Sequence, residues 1–325
     1  MTAGRTVLYL NRADLDSLDL RVPEIIELLR PAFAEHAAGR AMMPDKSWIV
    51  RDADTFFCAL QCYLPSLGAA GCKWNSGNPA GAARGLPYIQ GLYLLSDAET
   101  GSPLAIMDSA WITTARTAAA IALAVCLLAR PGAGTLAVLG CGVQGRNILD
   151  ALRVTVPTLR SVRAYDIQDA AVERYVADMS KRGGLDVQRA AGPREAVADA
   201  DVIITAGPNT RPPDPLRYEW LAPGALGVSV NRDAFWAPEA VAAMDAVVTD
   251  DAQQIEELKG AGFFTTVRRV DAELGHVIAG LTPGRPSPAS RVLVFKLGVA
   301  LEDLATAVEL YRRARERRVG TELLL

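Results

Sequence analysis

Residues 134–148 read Gly-Thr-Leu-Ala-Val-Leu-Gly-Cys-Gly-Val-Gln-Gly-Arg-Asn-Ile, and this stretch decides the fold. A short apolar run, typical of a buried strand, leads into Gly140-x-Gly-x-x-Gly145, and an apolar pattern with helical spacing follows. In such a turn the first glycine permits the tight bend, and the second lets backbone approach a pyrophosphate. The third lets helix and strand pack closely. The pattern predicts a Rossmann-type site for a dinucleotide at the N-terminus of the helix.

A second predicted strand, residues 161–166, ends in Asp166, 21 residues beyond Gly145. An acid at this place accepts hydrogen bonds from the ribose hydroxyls and repels a 2′-phosphate. No arginine follows it directly, so we expect NAD(H) to be favoured over NADP(H). The alternative is a glycine-rich turn in another kind of α/β sheet, and the combination of strand, turn, helix and acid disfavours it.

Composition narrows the class of protein. The chain has 325 residues, of which 50% are hydrophobic and 22% charged, with a net charge of −3. These values are ordinary for a globular enzyme and provide no basic field for nucleic acid or a membrane surface. The longest apolar run, residues 118–129, is too short to span a bilayer and suits a buried helix. Without a secretory signal pattern, and with five cysteines and two histidines in no metal-ligand spacing, the chain is predicted to be cytoplasmic and metal-free.

The predicted organisation is α/β, with a Rossmann dinucleotide-binding domain inserted into a second α+β domain formed by both chain ends. From residue 134 onward strands alternate with helices, which places the Rossmann domain at residues 131–288. Residues 1–130 plus 289–325 form the substrate-binding and dimerisation domain, in which residues 48–105 have the pattern of an antiparallel sheet. The apolar run 291–295 is predicted to lead into a long terminal helix.

Two helix boundaries follow from local signals. Pro31 is expected to kink or end a helix that begins at Val22, because proline lacks the amide hydrogen. Thr113 or Thr114 is expected to cap an alanine-rich helix that reaches about residue 129, which places Arg116 in its first turn.

Three side chains are candidates for chemistry. Lys73 lies within the apolar stretch Gly-Cys-Lys-Trp. It is either an edge lysine with its amine in solvent or a desolvated amine with a lowered pKa that exchanges protons. The guanidinium of Arg116 matches the geometry of a substrate carboxylate. The alternative interpretation is that Arg116 is a surface arginine. Asp233 follows an apolar strand. It either lies at the edge of the sheet where ligands bind, or it caps the next turn.

These pieces and the glycine turn together resemble the ornithine cyclodeaminase/μ-crystallin family over nearly the whole chain. The motifs that carry the resemblance are Met43-Pro-Asp-Lys46, Gly71-Cys-Lys-Trp74, Gly85-Leu-Pro87, Leu95-Ser-Asp-Ala-Glu-Thr-Gly101, Thr113-Thr-Ala-Arg-Thr117, Gly140-Cys-Gly-Val-Gln-Gly145 and Gly275-His-Val-Ile-Ala-Gly280. The amino-acid sequence around Lys73 and Gly140 is most similar to that of the family's archaeal-type alanine dehydrogenases.

The resemblance implies roles for individual residues. Lys73 matches the active-site lysine and Asp233 the essential aspartate, while Arg116 matches the arginine that holds the substrate α-carboxylate and Lys46 a second cation near it. Tyr88 stands where the family has a threonine that lines the substrate site. The residues expected to bind the cofactor are Gly140, Gly142, Val143, Gln144, Gly145, Asp166 and Thr117. Members are homodimers joined through the sheet of the non-Rossmann domain.

Other departures from the family pattern bear on the substrate. Asn231-Arg232-Asp233 replaces Gly-x-Asp, His276 stands where glutamate is common, and Lys296 is a new cation. Alternation along the strand further predicts that Cys72 and Trp74 face packing, opposite Lys73.

The function expected from all of this is that of an NAD(H)-dependent oxidoreductase acting at the Cα–N bond of an α-amino or α-imino acid. It is either an amino-acid dehydrogenase or an imine reductase. Two alternatives stay open. One is an ornithine- or lysine-type cyclodeaminase with tightly held NAD, and the other is a μ-crystallin-like protein that binds a ligand under NAD(P)H control.

Overall fold

A computed structural model describes residues 5–52 and 55–325 of the chain. The chain forms two compact units, one made of residues up to Thr117 together with Val299–Leu325, the other of Ala118–Gly298. The sequence had placed the boundaries after residues 130 and 288.

The first unit is built on a sheet of seven strands within the described residues. In sheet order these are β15 (Thr321–Leu324), β1 (Thr6–Leu10), β6 (Pro103–Asp108), β5 (Ile89–Asp97), β4 (Ala69–Gly77), β3 (Phe56–Leu64) and β2 (Ser47–Val50). All neighbours are antiparallel except β1 and β6, which run parallel. The antiparallel meander expected over residues 48–105 is therefore present.

Helices cover one face of this sheet. The helices of the unit are α1 (Arg12–Ser17), α2 (Val22–Ala37), the first part of α3 (Ser109–Leu128) and α10 (Ala300–Arg317). Helix α10 packs on β3, β4 and α2. Because strand side chains alternate between faces, Leu60, Lys73 and Tyr93 are buried on the covered face. Their strand neighbours lie on the other face.

The second unit is a parallel sheet of eight strands in the described part of the chain. In sheet order these are β13 (Ala272–Glu273), β12 (Ala246–Thr249), β14 (Val292–Phe295), β11 (Leu226–Ser229), β10 (Val202–Thr205), β7 (Thr135–Leu139), β8 (Ser161–Tyr165) and β9 (Asp186–Arg189). The connecting helices are α4 (Val143–Thr155), α5 (Asp169–Lys181), α6 (Pro193–Val197), α7 (Pro238–Ala243), α8 (Ala252–Gly260) and α9 (Leu274–Ile278). Every residue of β10, β11, β12 and β14 is buried, as expected for a parallel sheet covered on both faces.

Strand β14 differs from the sequence interpretation in its partners. The apolar run 291–295 had been grouped with the terminal helix, but β14 lies inside the parallel sheet between β12 and β11. A domain boundary after residue 288 would assign this central strand to the first unit, although its sheet belongs to the second. The chain leaves the second unit only after β14, at Gly298.

Helices α3 and α2 also differ from expectation. Helix α3 begins at Ser109 rather than near Thr113, because Asp108 accepts a hydrogen bond from the Trp111 amide (3.0 Å) and so caps it earlier. Arg116 therefore lies in the second turn, away from the helix N-terminus. Helix α2 continues through Pro31 to Ala37.

Helix α3 is also the one helix in the described ranges that is long and apolar enough to cross a membrane. Two thirds of its most apolar segment is buried inside the protein. This burial is typical of the core helix of a globular protein, as the sequence predicts, but the helix is longer than the apolar run 118–129 that had been judged too short to span a bilayer.

Candidate active site and dinucleotide site

The three glycines of the turn between β7 and α4 differ in what the protein itself requires of them. Gly140 has φ of 108°, and a Cβ there would lie 2.6 Å from the Ala206 carbonyl carbon. A Cβ on Gly145 would lie 2.1 Å from the Gly140 carbonyl oxygen, so helix and strand meet closely here. By contrast, a Cβ on Gly142 would meet no protein atom within 4 Å. The protein itself does not require glycine at 142, whereas a pyrophosphate held against this backbone does.

Asp166 directly follows β8 and faces the glycine turn. One carboxylate oxygen accepts a hydrogen bond from the Cys141 amide (2.8 Å) and the other from the Gln168 amide (3.0 Å). Asp166 and Gly140 also line one pocket with Tyr165, Ile167 and Gly207. The acid thus lies beside the turn where an acceptor for ribose hydroxyls is expected.

The other residues assigned to the cofactor have separate environments. Val143 is the exposed first residue of α4, and Gln144 follows it with its side-chain oxygen buried. Thr117 is buried in α3, next to Arg116. It belongs to the first unit, whereas the glycine turn and Asp166 belong to the second.

Asp233 lies beyond the carboxyl end of β11 and is buried. One of its carboxylate oxygens accepts a hydrogen bond from the Phe264 amide (3.2 Å). The preceding Asn231 accepts hydrogen bonds from the Thr205 and Ser229 hydroxyls (2.8 and 3.1 Å), and its amide nitrogen donates to the Pro208 carbonyl (3.1 Å). The segment that replaces Gly-x-Asp is therefore held rigidly at the edge of the sheet where ligands bind.

Lys73 is buried in the first unit, with only 2% of its surface exposed. Its Nζ lies 3.0 Å from one carboxylate oxygen of Asp303 and 2.8 Å from the other, and it donates to the Thr113 hydroxyl at 3.2 Å. An edge lysine with its amine in solvent is excluded, since β4 lies between β3 and β5. Burial, together with the charges of Arg116 and Lys46, lowers the pKa of Lys73 to about 8, although the nearby charge of Asp303 raises it.

Arg116 is 6% exposed and is not a surface arginine. Its Nε donates to an Asp303 carboxylate oxygen at 3.0 Å, and its Nη1 donates to Glu302 at 2.6 Å. Burial alone would raise the pKa of Asp303, but Arg116 and Lys73 outweigh it and hold that pKa below its usual value. The acids of α10 thus restrict the orientation of the guanidinium.

Asp303 and Glu302 are functional candidates that the sequence interpretation missed. Both are fully buried, and Asp303 joins Lys73 to Arg116. The available signal was two adjacent acids inside the apolar pattern of α10, between Leu301 and Leu304. Carboxylates are rarely buried without a partner, so that pattern already indicated buried cations elsewhere in the chain.

Lys46 and Tyr88 lie at the margins of the first unit. Lys46 precedes β2, is partly buried, and is close enough to Lys73 to influence its pKa. Tyr88 directly precedes β5 and is 45% exposed, so its ring is not part of the core. The structure therefore brings Lys73 and Arg116 together, and separately the glycine turn and Asp166.

The uncovered face of the first sheet is apolar. Trp74 is 44% exposed and stacks on Phe57, with ring centroids 6.1 Å apart. Leu92 and Leu94 of β5 are each 45% exposed on the same sheet. The expectation that Trp74 faces packing within the chain is wrong, because α10 covers the opposite face, the one that carries Lys73.

Comparison with known proteins agrees with this architecture. Residues 9–318 match the model of the ornithine cyclodeaminase/mu-crystallin family. Alanine dehydrogenase of Archaeoglobus fulgidus is 30% identical, over 97% of this chain and 98% of that protein.

Two solved structures extend the similarity to three dimensions. Delta(1)-pyrroline-2-carboxylate reductase of Thermococcus litoralis, in complex with NADH and L-proline, has a TM-score of 0.87 at 30% identity, covering 98% of this chain and 100% of that one. An archaeal alanine dehydrogenase dimer with bound NAD also has a TM-score of 0.87, at 29% identity and coverage of 98% and 99%.

Proposed function

This chain belongs to the ornithine cyclodeaminase/mu-crystallin family, and from that premise we propose that it is an NAD(H)-dependent oxidoreductase acting at the Cα–N bond of an α-amino or α-imino acid. The observation that carries the proposal is the buried cluster of Lys73, Arg116 and Asp303. It combines an amine that titrates near neutral pH with a fixed guanidinium. These are the two groups needed to handle a substrate nitrogen and a substrate carboxylate.

Arg116 binds the substrate α-carboxylate in this proposal, with Lys46 as a second cation. The planar guanidinium matches a carboxylate, and Glu302 and Asp303 restrict its rotation before substrate arrives. A carboxylate bound at a fixed position orients Cα and its nitrogen relative to Lys73. Orientation of this kind accounts for a large part of many catalytic rate enhancements.

Lys73 exchanges the proton at the substrate nitrogen. With a pKa of about 8 the amine is present in both protonation states near neutral pH. Protonated Lys73 gives a proton to the nitrogen when the imine is reduced, and neutral Lys73 takes it back in the oxidation. Asp233 is the second proton-handling group assigned to the site.

A bound dinucleotide would supply or accept the hydride at Cα, and the second unit has residues that would hold it. The glycine turn Gly140–Gly145, with Val143 and Gln144 at the start of α4, holds its phosphates. Asp166 holds the ribose hydroxyls, and Thr117 is a further cofactor contact. The fit rests on Gly142, where the protein leaves room for a ligand against its backbone. The carboxylate of Asp166 favours NAD(H) over NADP(H), because it would repel a 2′-phosphate.

A homodimer in the cytoplasm completes the proposal. The apolar face that carries Phe57, Trp74, Leu92 and Leu94 is a large exposed patch, and such patches mark interaction sites. A second copy of this chain placed on that face would cover it. The archaeal alanine dehydrogenase, similar over nearly its whole length, is a dimer.

The experiment that tests the function measures NADH oxidation by the purified protein. The substrates are cyclic α-imino acids and 2-oxo acids with ammonia, and the amino acid formed is quantified against the NADH consumed. Parallel reactions hold ornithine or lysine without reductant, and their ammonia release is measured. Stoichiometric NADH consumption supports the proposal. Ammonia release without net change in NADH would identify a cyclodeaminase, and NADH binding without any turnover would identify a ligand-binding protein.

A further inference from the structure

Two polar side chains of the first unit are buried without partners on the sheet face that carries Lys73. Asn75 lies two residues beyond Lys73 on β4 and is 8% exposed, and Ser109 begins α3 and is fully buried. The side-chain oxygen of each lacks a hydrogen-bond partner within residues 5–52 and 55–325. A buried polar group of this kind destabilises the folded protein, so its presence calls for a functional explanation.

Asn75 and Ser109 meet over Gly91 of β5. Asn75 and Gly91 are partners in the strand register. A Cβ on Gly91 would lie 2.6 Å from the Asn75 Cα and 2.8 Å from the Ser109 hydroxyl oxygen. Glycine inside a strand often marks such a close approach. The two unpartnered oxygens therefore belong to one polar pair, contributed by a strand and by the start of a helix.

This pair continues the row of groups assigned to the substrate. Ser109, Thr113 and Arg116 are spaced at i, i+4 and i+7, so they share one face of α3. The Lys73 amine donates a hydrogen bond to the Thr113 hydroxyl at 3.2 Å, which shows that this face of α3 is turned toward β4. The order along the row is therefore Arg116, then Thr113 with Lys73, then Ser109 with Asn75.

Tyr88 closes the far end of this row. Gly77 lies two residues beyond Asn75 on β4, and both point to the same face because side chains alternate along a strand. A Cβ on Gly77 would lie 3.0 Å from the Tyr88 Cζ, the ring carbon that bears the hydroxyl. The Tyr88 ring thus lies next to Asn75, on the side away from Lys73. It limits the size of a group that binds at Asn75 and Ser109.

We propose that Asn75 and Ser109 bind a hydroxyl group on the side chain of the substrate, so that this enzyme acts on hydroxylated α-amino or α-imino acids. The inference rests on the proposed function for the positions of the substrate carboxylate and nitrogen, at Arg116 and Lys73. A hydroxyl donates one hydrogen bond and accepts another, so it donates to the Asn75 oxygen and accepts from the Ser109 hydroxyl. A carboxylate has no hydrogen for the Asn75 oxygen, and protonated Lys73 would repel a second ammonium group.

The test compares amino acids that differ by one hydroxyl. With NAD as the oxidant, kcat/KM is measured for L-serine against L-alanine, L-homoserine against L-2-aminobutyrate, and trans-4-hydroxy-L-proline against L-proline. The parent should prefer the hydroxylated member of at least one pair by about 10²-fold or more, because the other member leaves Asn75 and Ser109 unpaired. Equal or reversed preference in all three pairs would overturn the inference.

Asn75→Leu and Ser109→Ala distinguish a role in specificity from a structural one. Each variant should reduce the preference by about 10-fold or more, through loss of activity on the hydroxylated member. Neither should lower the melting temperature, because each removes a polar group that the folded protein leaves unpaired. A lower melting temperature together with an equal loss of activity on both members would show that the two side chains are structural, and would overturn the inference.

Ser76→Ala is the matched control. Ser76 directly follows Asn75 on β4, and alternation along the strand places it on the opposite face of the sheet. This variant should keep the parent's preference between hydroxylated and plain amino acids.

Equilibrium binding separates failure of this inference from failure of the proposed function. Calorimetric titration of the NAD-loaded protein with the same pairs of amino acids needs no turnover. Tighter binding of a hydroxylated member, lost in Asn75→Leu, supports the inference even if no amino acid is oxidised. Equal or absent binding of both members in every pair, or an unchanged preference in Asn75→Leu, would overturn it.

Discussion

Replacing Asp303 with asparagine should move the pH dependence of catalysis toward acid. Asp303 lies within 3.0 Å of the Lys73 amine, and its charge raises the pKa of Lys73 against the opposing effect of burial. An opposite charge this close shifts a pKa by about 1–3 units. Without it, the pKa of Lys73 should fall from about 8 to between about 5 and 7.

The direction of the effect on rate follows from the protonation state that each reaction needs. Reduction of an imine needs protonated Lys73, so the rate of the parent falls as pH rises through about 8. At pH ~7.5 roughly three quarters of the parent carries the proton, whereas a pKa of ~6 leaves roughly 3%. The variant should thus lose reduction above neutral pH, whereas the oxidation should persist to lower pH than in the parent.

The thiols and the phenol near Lys73 and Asp303 have pKa values above their ordinary ones. Burial raises the pKa of Cys58 to about 11 and of Cys62 to about 12, and it raises the pKa of Cys72 as well as that of Tyr93. These groups ionise above the pKa of about 8 of Lys73, so a midpoint that moves from there toward acid can be assigned to Lys73.

The assay is kcat/KM against pH in both directions, with Glu302→Gln as the matched control. Glu302 is adjacent to Asp303 and pairs with Arg116, while Lys73 pairs with Asp303. Glu302→Gln should raise KM, because the guanidinium of Arg116 is held less firmly. The midpoint of the pH profile should stay near that of the parent. A midpoint that stays at about 8 in Asp303→Asn would refute the role given to this carboxylate.

Four further substitutions test the remaining parts of the site. Gly142→Ala should leave the melting temperature unchanged and abolish tight NADH binding, whereas Gly145→Ala should lower the melting temperature, because its Cβ would lie 2.1 Å from a carbonyl oxygen. Normal NADH affinity in Gly142→Ala would contradict the phosphate site. Arg116→Lys keeps a positive charge beside Glu302 and Asp303 but loses the planar guanidinium, which can donate two parallel hydrogen bonds to a carboxylate. It should lower kcat/KM by about 10- to 150-fold, as expected for a lost hydrogen bond to a charged group, with NADH affinity unchanged. Asp166→Ser should narrow the difference between NADH and NADPH dissociation constants, and tighter NADPH binding by the parent would exclude the proposed preference.

The sequence was most informative where a structural requirement is local. The glycine turn, the acid after β8 and the strands on either side follow from chain neighbours alone, and each lies where the pattern indicated. Lys73 and Arg116 were identified by their local setting and by resemblance, and the structure buries both. Their shared partner lies far along the chain, at Asp303, and no local pattern joins residue 73 to residue 303.

The wrong predictions concern features that depend on residues outside the local pattern. A strand pattern does not specify its neighbours, so β14 was separated from a sheet in which it is central. Alternation along β4 correctly separates Lys73 from Trp74, but only the position of α10 decides which of the two faces is covered. The start of α3 was missed because Asp108 caps it before the two threonines that suggested a later start.

The most direct test of the central claim is the turnover of Lys73→Met. Methionine keeps most of the buried volume and removes the amine, while Arg116 remains as the counter-ion of Asp303. On the substrate identified with the parent, NADH consumption and amino acid formation should stay equal, and the rate should fall by about 10²-fold or more. NADH affinity and melting temperature should match those of the parent. A folded Lys73→Met protein that turns over at the parental rate would contradict the assignment of this amine as the proton-exchanging group.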